Sequence, residues 1–167
     1  MTTPARLACF FFAFCVGCPA LSVAAGAPEF ARERGWLHLN GYSHHFHAPD
    51  ANDKLFGVGY TWYVRRYGRR AIAWEADAFR DSGKKFSGYV GRSWTFPLWE
   101  TGSVGVTGSL MYHRNFKKQN GLGLLPVALP YFETRGQTLK LRAYYIPPVR
   151  RPSDHQIALQ VMMPLWR

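Results

Sequence analysis

Two short stretches of this chain hold the residue types of acyl-transfer chemistry: Ser43-His44-His45-Phe46-His47 and Asp81-Ser82. An imidazole can take the proton from an attacking hydroxyl, and a carboxylate can fix the imidazole tautomer and stabilise the charge it gains. A serine hydroxyl beside them either attacks or donates to the developing oxyanion. The residue types alone leave other roles open, since Asp-Ser is a common turn opener and clustered histidines also bind metals. The segment bearing His44, His45 and His47 lacks the carboxylate or cysteine spacing of a catalytic metal site, so neither a metal nor a cofactor is expected.

The two stretches lie far apart in sequence, and a sheet of strands must bring them together. Alternation of period two recurs over 36–47, 55–65, 71–80, 86–96, 103–113, 122–131, 138–147 and 156–166. Each run has roughly the ten residues a tilted strand needs to cross a bilayer. Phe56, Val58, Tyr60, Trp62 and Val64 share one face of the second run, opposite Gly57, Gly59 and Thr61. In the third, Ile72, Trp74, Ala76 and Ala78 oppose Glu75 and Asp77; in the last, Ile157, Leu159 and Val161 oppose Gln160. The fold class expected is all-β, an eight-stranded antiparallel transmembrane β-barrel with its apolar faces turned to lipid. Trp62, Trp94, Tyr131, Tyr144, Tyr145 and Trp166 are expected in the interfacial girdles, and Glu75 and Asp77 should meet Lys140 and Arg142 inside. Such a barrel holds little beyond side chains or one small ligand.

The N-terminus carries an export signal: Arg6, the apolar run from Leu7 to Val16, then the small residues Ser22-Val23-Ala24-Ala25-Gly26-Ala27. Cleavage after Ala25 or after Ala27 fits equally, which divides the chain into a signal peptide (1–27), a periplasmic segment (28–35) and the barrel (36–167). Segment 28–35 leaves room for a short N-terminal amphipathic helix or none. Cys9, Cys15 and Cys18 all fall in the removed part, so no disulfide supports the mature protein. Cys18 follows Val-Gly, but Cys15 stands where a lipoprotein signal takes leucine. The turns at 66–70, 97–102 and 133–137 share the side of the mature N-terminus, hence the periplasm. The connections at 49–54, 81–85, 114–121 and 148–155 form the external rim, where both polar stretches and nine lysines and arginines gather. Despite a net charge of +11, export and strand pattern argue against nucleic acid; a phosphorylated glycolipid in the outer leaflet suits the basic rim.

The run Ala78-Phe79-Arg80-Asp81-Ser82-Gly83-Lys84-Lys85-Phe86, continuing without a gap to Trp94, resembles the lipid A palmitoyltransferases of Gram-negative outer membranes. Leu125-Pro126-Val127-Ala128-Leu129-Pro130, the stretch from Leu139 to Tyr144, and Tyr145-Ile146-Pro147 resemble the same family. The resemblance implies an eight-stranded barrel that moves a palmitoyl chain from the sn-1 position of a glycerophospholipid to a hydroxyl on lipid A. Its essential histidine, aspartate and serine map to His45, Asp81 and Ser82. Strict alternation from Leu37 and Leu39 would instead turn His44 inward, and a bulge in the first strand would favour His45. Pro126 and Pro130 are expected to interrupt a ladder and admit lipid sideways. Ser93 stands where the family has a glycine flooring the acyl pocket, which predicts a donor chain shorter than palmitate. The partners implied are lipid A, a glycerophospholipid and the outer-membrane insertion machinery, with the protein a monomer. Two further readings stay open: a lipid A deacylase or phospholipase, and a non-catalytic barrel.

Overall fold

The computed structural model describes residues 35–46, 54–81, 84–114, 117, 121–147 and 155–165. The signal peptide, segment 28–34, His47, Ser82 and Trp166 lie outside the described residues. Eight strands form in chain order: β1 (Gly35–His45), β2 (Phe56–Tyr67), β3 (Arg70–Arg80), β4 (Phe86–Pro97), β5 (Gly102–His113), β6 (Leu124–Thr134), β7 (Lys140–Ile146) and β8 (Gln156–Pro164). Each pairs antiparallel with the next, and β1 closes on β8, so the sheet is a closed eight-stranded barrel.

Alternation decides which way each side chain faces. Val58, Trp62, Trp74, Val90, Leu141 and Leu159 are exposed on the outer face, whereas Thr61, Glu75, Asp77, Thr107, Arg142 and Gln160 are buried inside. A closed sheet in water would do the reverse, and transmembrane barrels show this arrangement. Gly68, at φ +54°, lets β2 turn into β3 through two residues, because a primed hairpin turn needs a positive φ.

The interior is layered. Leu55, Leu129, Tyr131, Tyr144 and Ala158 form an apolar cluster, with Phe79, Met111, Val127 and Ile146 against it. Trp36, Tyr63, Ala71, Ala73 and Met162 form another toward the short turns. Between them, Arg142 donates to Glu75 Oε1 (2.5 Å), Tyr144 (2.9 Å) and twice to Glu133 Oε2 (3.0 and 2.7 Å). Asp77 takes bonds from Asn40 (2.6 Å) and Gln160 (2.9 Å), and His38 bonds to Thr61.

Two expectations need correction. Tyr131 and Tyr144 are not girdle residues; at 4% and 3% exposure they point inward, where their hydroxyls bond to Thr95 (2.7 Å) and Glu75 (2.7 Å). The sixth strand runs later than expected, through Thr134, because Glu133 pairs across the ladder with Arg142 and is thereby a strand residue rather than part of a turn.

Candidate functional site

The long connections gather at one end of the barrel, and the chemistry-bearing residues sit where β1, β3 and β5 reach it. On β1 the register with β8 shifts between Asn40 and Tyr42, leaving Gly41 as a bulge. Before it, Trp36, His38 and Asn40 point inward; after it, Ser43 and His45 do. The bulge that an inward His45 requires is therefore present, and strict alternation, which would have turned His44 inward, fails. His44 lies on the outer face, 6.5 Å from the Tyr42 ring and stacked, and edge-on to Phe46 at 5.1 Å.

Asp81 follows β3 in a tight connection. Its backbone N–H donates to Lys85 O (2.9 Å), its carbonyl accepts from Lys84 N–H (2.8 Å), and its Oδ1 accepts from Lys85 N–H (2.8 Å). Lys84 takes a left-handed φ of 59° to complete the turn. The other carboxylate oxygen, Oδ2, stands 2.8 Å from His113 Nε2 and accepts from Ser87 Oγ at 3.3 Å. Ser87 and His113 are direct partners across the β4–β5 ladder.

The imidazole set on Asp81 is thus that of His113, which sequence reasoning passed over as the last residue of a run. The signal was available: His113 is in phase with Thr107, Ser109 and Met111, on the inward side of β5. His45 enters the same rim from β1, buried at 8% exposure and paired in register with Gln156. Ser82 follows Asp81 directly and lies outside the described residues.

Ser93 is fully buried on the inward face of β4, flanked across the ladders by Ala73 and Thr107. Thr107 donates to Glu75 Oε2 (3.0 Å), so Ser93 borders the polar layer. Its own hydroxyl has no hydrogen-bond partner among the described residues.

Pro126 and Pro130 are exposed on the outer face of β6. β6 pairs with β5 from Leu124 to Thr134, but with β7 only at Tyr131, Phe132 and Glu133. Continuing that register would set Pro130 opposite Tyr145 and Ala128 opposite Pro147, so a residue without an N–H falls on each side. The β1–β2 ladder likewise stops at Asn40 with Gly57, beside the Gly41 bulge. Sequence reasoning had pointed to weakened pairing at β6 and missed the early end of the β1–β2 ladder.

Exposed cations ring this end: Lys54, Arg80, Lys84, Lys85, Arg114 and Lys117. No protein-family model and no curated protein matches the chain.

Proposed function

We propose that this protein is an outer-membrane acyltransferase that moves an acyl chain, palmitate or somewhat shorter, from a glycerophospholipid to lipid A. The observation that carries the reading is the Asp81–His113 pair, 2.8 Å apart, at the rim of a barrel whose interior contains the Leu129 apolar cluster. An acyl chain needs an apolar chamber, an ester needs a base beside it, and a membrane lipid needs a lateral way in. The cluster, the imidazole on Asp81 and the short β6–β7 ladder answer these three needs. The outward apolar band suits a bilayer, and the cationic rim suits the phosphates of lipid A in the external leaflet.

In the reaction an inward rim imidazole takes the proton of the acceptor hydroxyl as its oxygen attacks the sn-1 ester carbonyl. The carbonyl-to-glycerol C–O bond then breaks, and the imidazolium returns the proton to the leaving glycerol oxygen. Asp81 fixes the tautomer of the imidazole it holds and stabilises its positive form. Ser82 serves as donor to the oxyanion in this direct transfer; in the alternative order its hydroxyl attacks first, the lysophospholipid leaves, and the acceptor hydroxyl then displaces Ser82 from the acyl-serine ester. The base is either His113, placed on Asp81, or His45, which carries the family resemblance. Ser93 marks the depth to which the chain reaches.

Mass spectrometry of lipid A from membranes expressing the protein tests this reading. Wild type should add one acyl mass, no larger than palmitoyl, with Asp81→Asn and Ser82→Ala abolishing the gain. Whichever of His45→Ala and His113→Ala abolishes it identifies the base. Loss of an acyl mass would make the protein a hydrolase, with water in place of the acceptor, and unchanged lipid A would make it a non-catalytic barrel.

A further inference from the structure

The outer wall of the barrel carries a charge where alternation calls for an apolar residue. On β4, Val90, Arg92, Trp94 and Phe96 face outward in turn. Among the described outward residues of β3, β4 and β5, Arg92 is the only charged one that does not end its strand. It lies near the middle of β4, hence deep in the apolar band that a transmembrane barrel turns to lipid. An arginine at that depth is destabilising unless its head reaches water or an anion.

The strands around it supply no such anion on this face. Glu75 and Asp77, the acids of β3, point inward and are bonded there, Glu75 to Arg142 and Asp77 to Asn40 and Gln160. The direct partners of Arg92 across the two ladders are Trp74 and Gly108. Arg92 is half-buried among the exposed side chains of Trp74, Val90 and Leu110, and its guanidinium carbon stands over the Trp94 ring, 5.8 Å from the centroid. Trp94 is two residues nearer the short turns, so the head leans toward the leaflet on that side, as a snorkelling arginine does. Its Nε is shut off from solvent with no acceptor among the described residues, which leaves the two Nη groups as the donors facing out. Beside the head, Gly108 leaves a notch in the wall: a Cβ there would meet nothing nearer than the Trp94 ring at 3.5 Å.

We infer that Arg92 is the headgroup anchor of a lipid site on the outer wall, holding a glycerophospholipid of the turn-side leaflet by its phosphate. The Nη groups donate to the phosphate oxygens, a geometry that guanidinium matches. Trp94 flanks the glycerol, as interfacial aromatic residues do, and the Gly108 notch takes the start of an acyl chain. The ligand class follows from the place: beside an apolar wall, the anion that a bilayer offers is a lipid phosphate. Phosphatidylglycerol suits it best, since its phosphate has no ammonium in its own headgroup to satisfy. The site rests on the outer-membrane placement proposed above but not on acyl transfer, because none of its residues belongs to the rim of His45, Asp81 and His113.

Native mass spectrometry of the folded protein released from detergent, with dimyristoyl phosphatidylglycerol or dimyristoylglycerol added at equal concentration, tests the inference. The wild type should hold the phosphatidylglycerol about tenfold more tightly than the diacylglycerol, which has the same chains and no phosphate; that ratio is the worth of one charge-assisted contact. Arg92→Gln should bring the two lipids close to equality. Gly108→Leu, which fills the notch and leaves the charge in place, should weaken the binding of phosphatidylglycerol. Equal retention of both lipids by the wild type would overturn the inference, as would an unchanged preference in Arg92→Gln. Should Arg92→Gln fail to fold, Gly108→Leu decides, and binding as tight as that of the wild type would overturn the site. Flotation with phospholipid vesicles separates this inference from the membrane placement. Wild type that floats but shows no preference overturns the site alone, whereas wild type that does not float overturns the placement and the site with it.

Discussion

Replacing Arg142 by methionine removes the cation at the centre of the barrel while keeping a side chain of similar length. Arg142 is 1% exposed, and its four donated bonds reach Glu75, Glu133 and Tyr144, with the Tyr131 ring 4.2 Å from its guanidinium carbon. Both carboxylates are themselves buried, at 1% and 4% exposure, and each would lose the guanidinium that donates to it. Breaking one buried pair in this way costs about 3 to 5 kcal/mol. Here one cation serves two carboxylates, so the loss should reach at least the top of that range. At about 1.4 kcal/mol per factor of ten, the folded-to-unfolded ratio falls by more than about a thousandfold. Urea unfolding in lipid vesicles, followed by tryptophan fluorescence, measures the change. The triple variant Arg142→Met/Glu75→Gln/Glu133→Gln, uncharged at all three positions, should recover at least half of the loss, because it removes both carboxylates together with the cation they share. A loss below about 1 kcal/mol, the worth of an exposed pair, would refute the assignment of the network as the structural centre of the barrel.

Because every cysteine lies at positions 9, 15 or 18, single-cysteine labelling can read the β1 bulge directly. His44→Cys should react with a lipid-phase maleimide while His45→Cys does not, and equal reaction would place the bulge elsewhere. Gly59→Ala would set a Cβ 2.5 Å from Asp77 Oδ2 and 2.7 Å from the Ala76 carbonyl, and should cost about 1 to 3 kcal/mol in the same unfolding assay. Gly108→Ala, whose Cβ would meet nothing nearer than the Trp94 ring at 3.5 Å, should be tolerated. Pro130→Thr with Pro147→Thr restores two N–H groups beside the open part of the β6–β7 ladder; acyl transfer should fall as melting temperature rises, and transfer at the wild-type rate would dissociate that gap from lipid entry. N-terminal sequencing of the exported protein should begin at Gly26 or Pro28.

All eight strands were legible in the sequence, because one residue in two is forced outward by apolarity and the pattern repeats for about ten residues at a time. Pairing of Glu75 with Arg142 was legible for the same reason: an inward acid and an inward base on different strands of a small barrel have little else to meet. Tyrosine was the point of failure. A residue with an apolar ring and a hydroxyl satisfies either a girdle or an interior, and only the partners it meets inside decide, as Thr95, two strands away on β4, does for Tyr131. The Asp81–His113 contact was likewise hidden, since it depends on how the β3–β4 connection folds back to bring the carboxylate over the β4–β5 ladder. Gly41 showed that a bulge was possible but not that one was there; the register with β8 fixes it.

The layer of charge across the middle of the barrel divides its interior into two halves. The Leu129 cluster packs one side of that layer and the Trp36 cluster the other, and Arg142 belongs to the partition between them: it grips Tyr144 from the first cluster and also holds Glu133. Water or ions crossing from one mouth to the other would have to dismantle that partition. The barrel is plugged at mid-height by its own side chains.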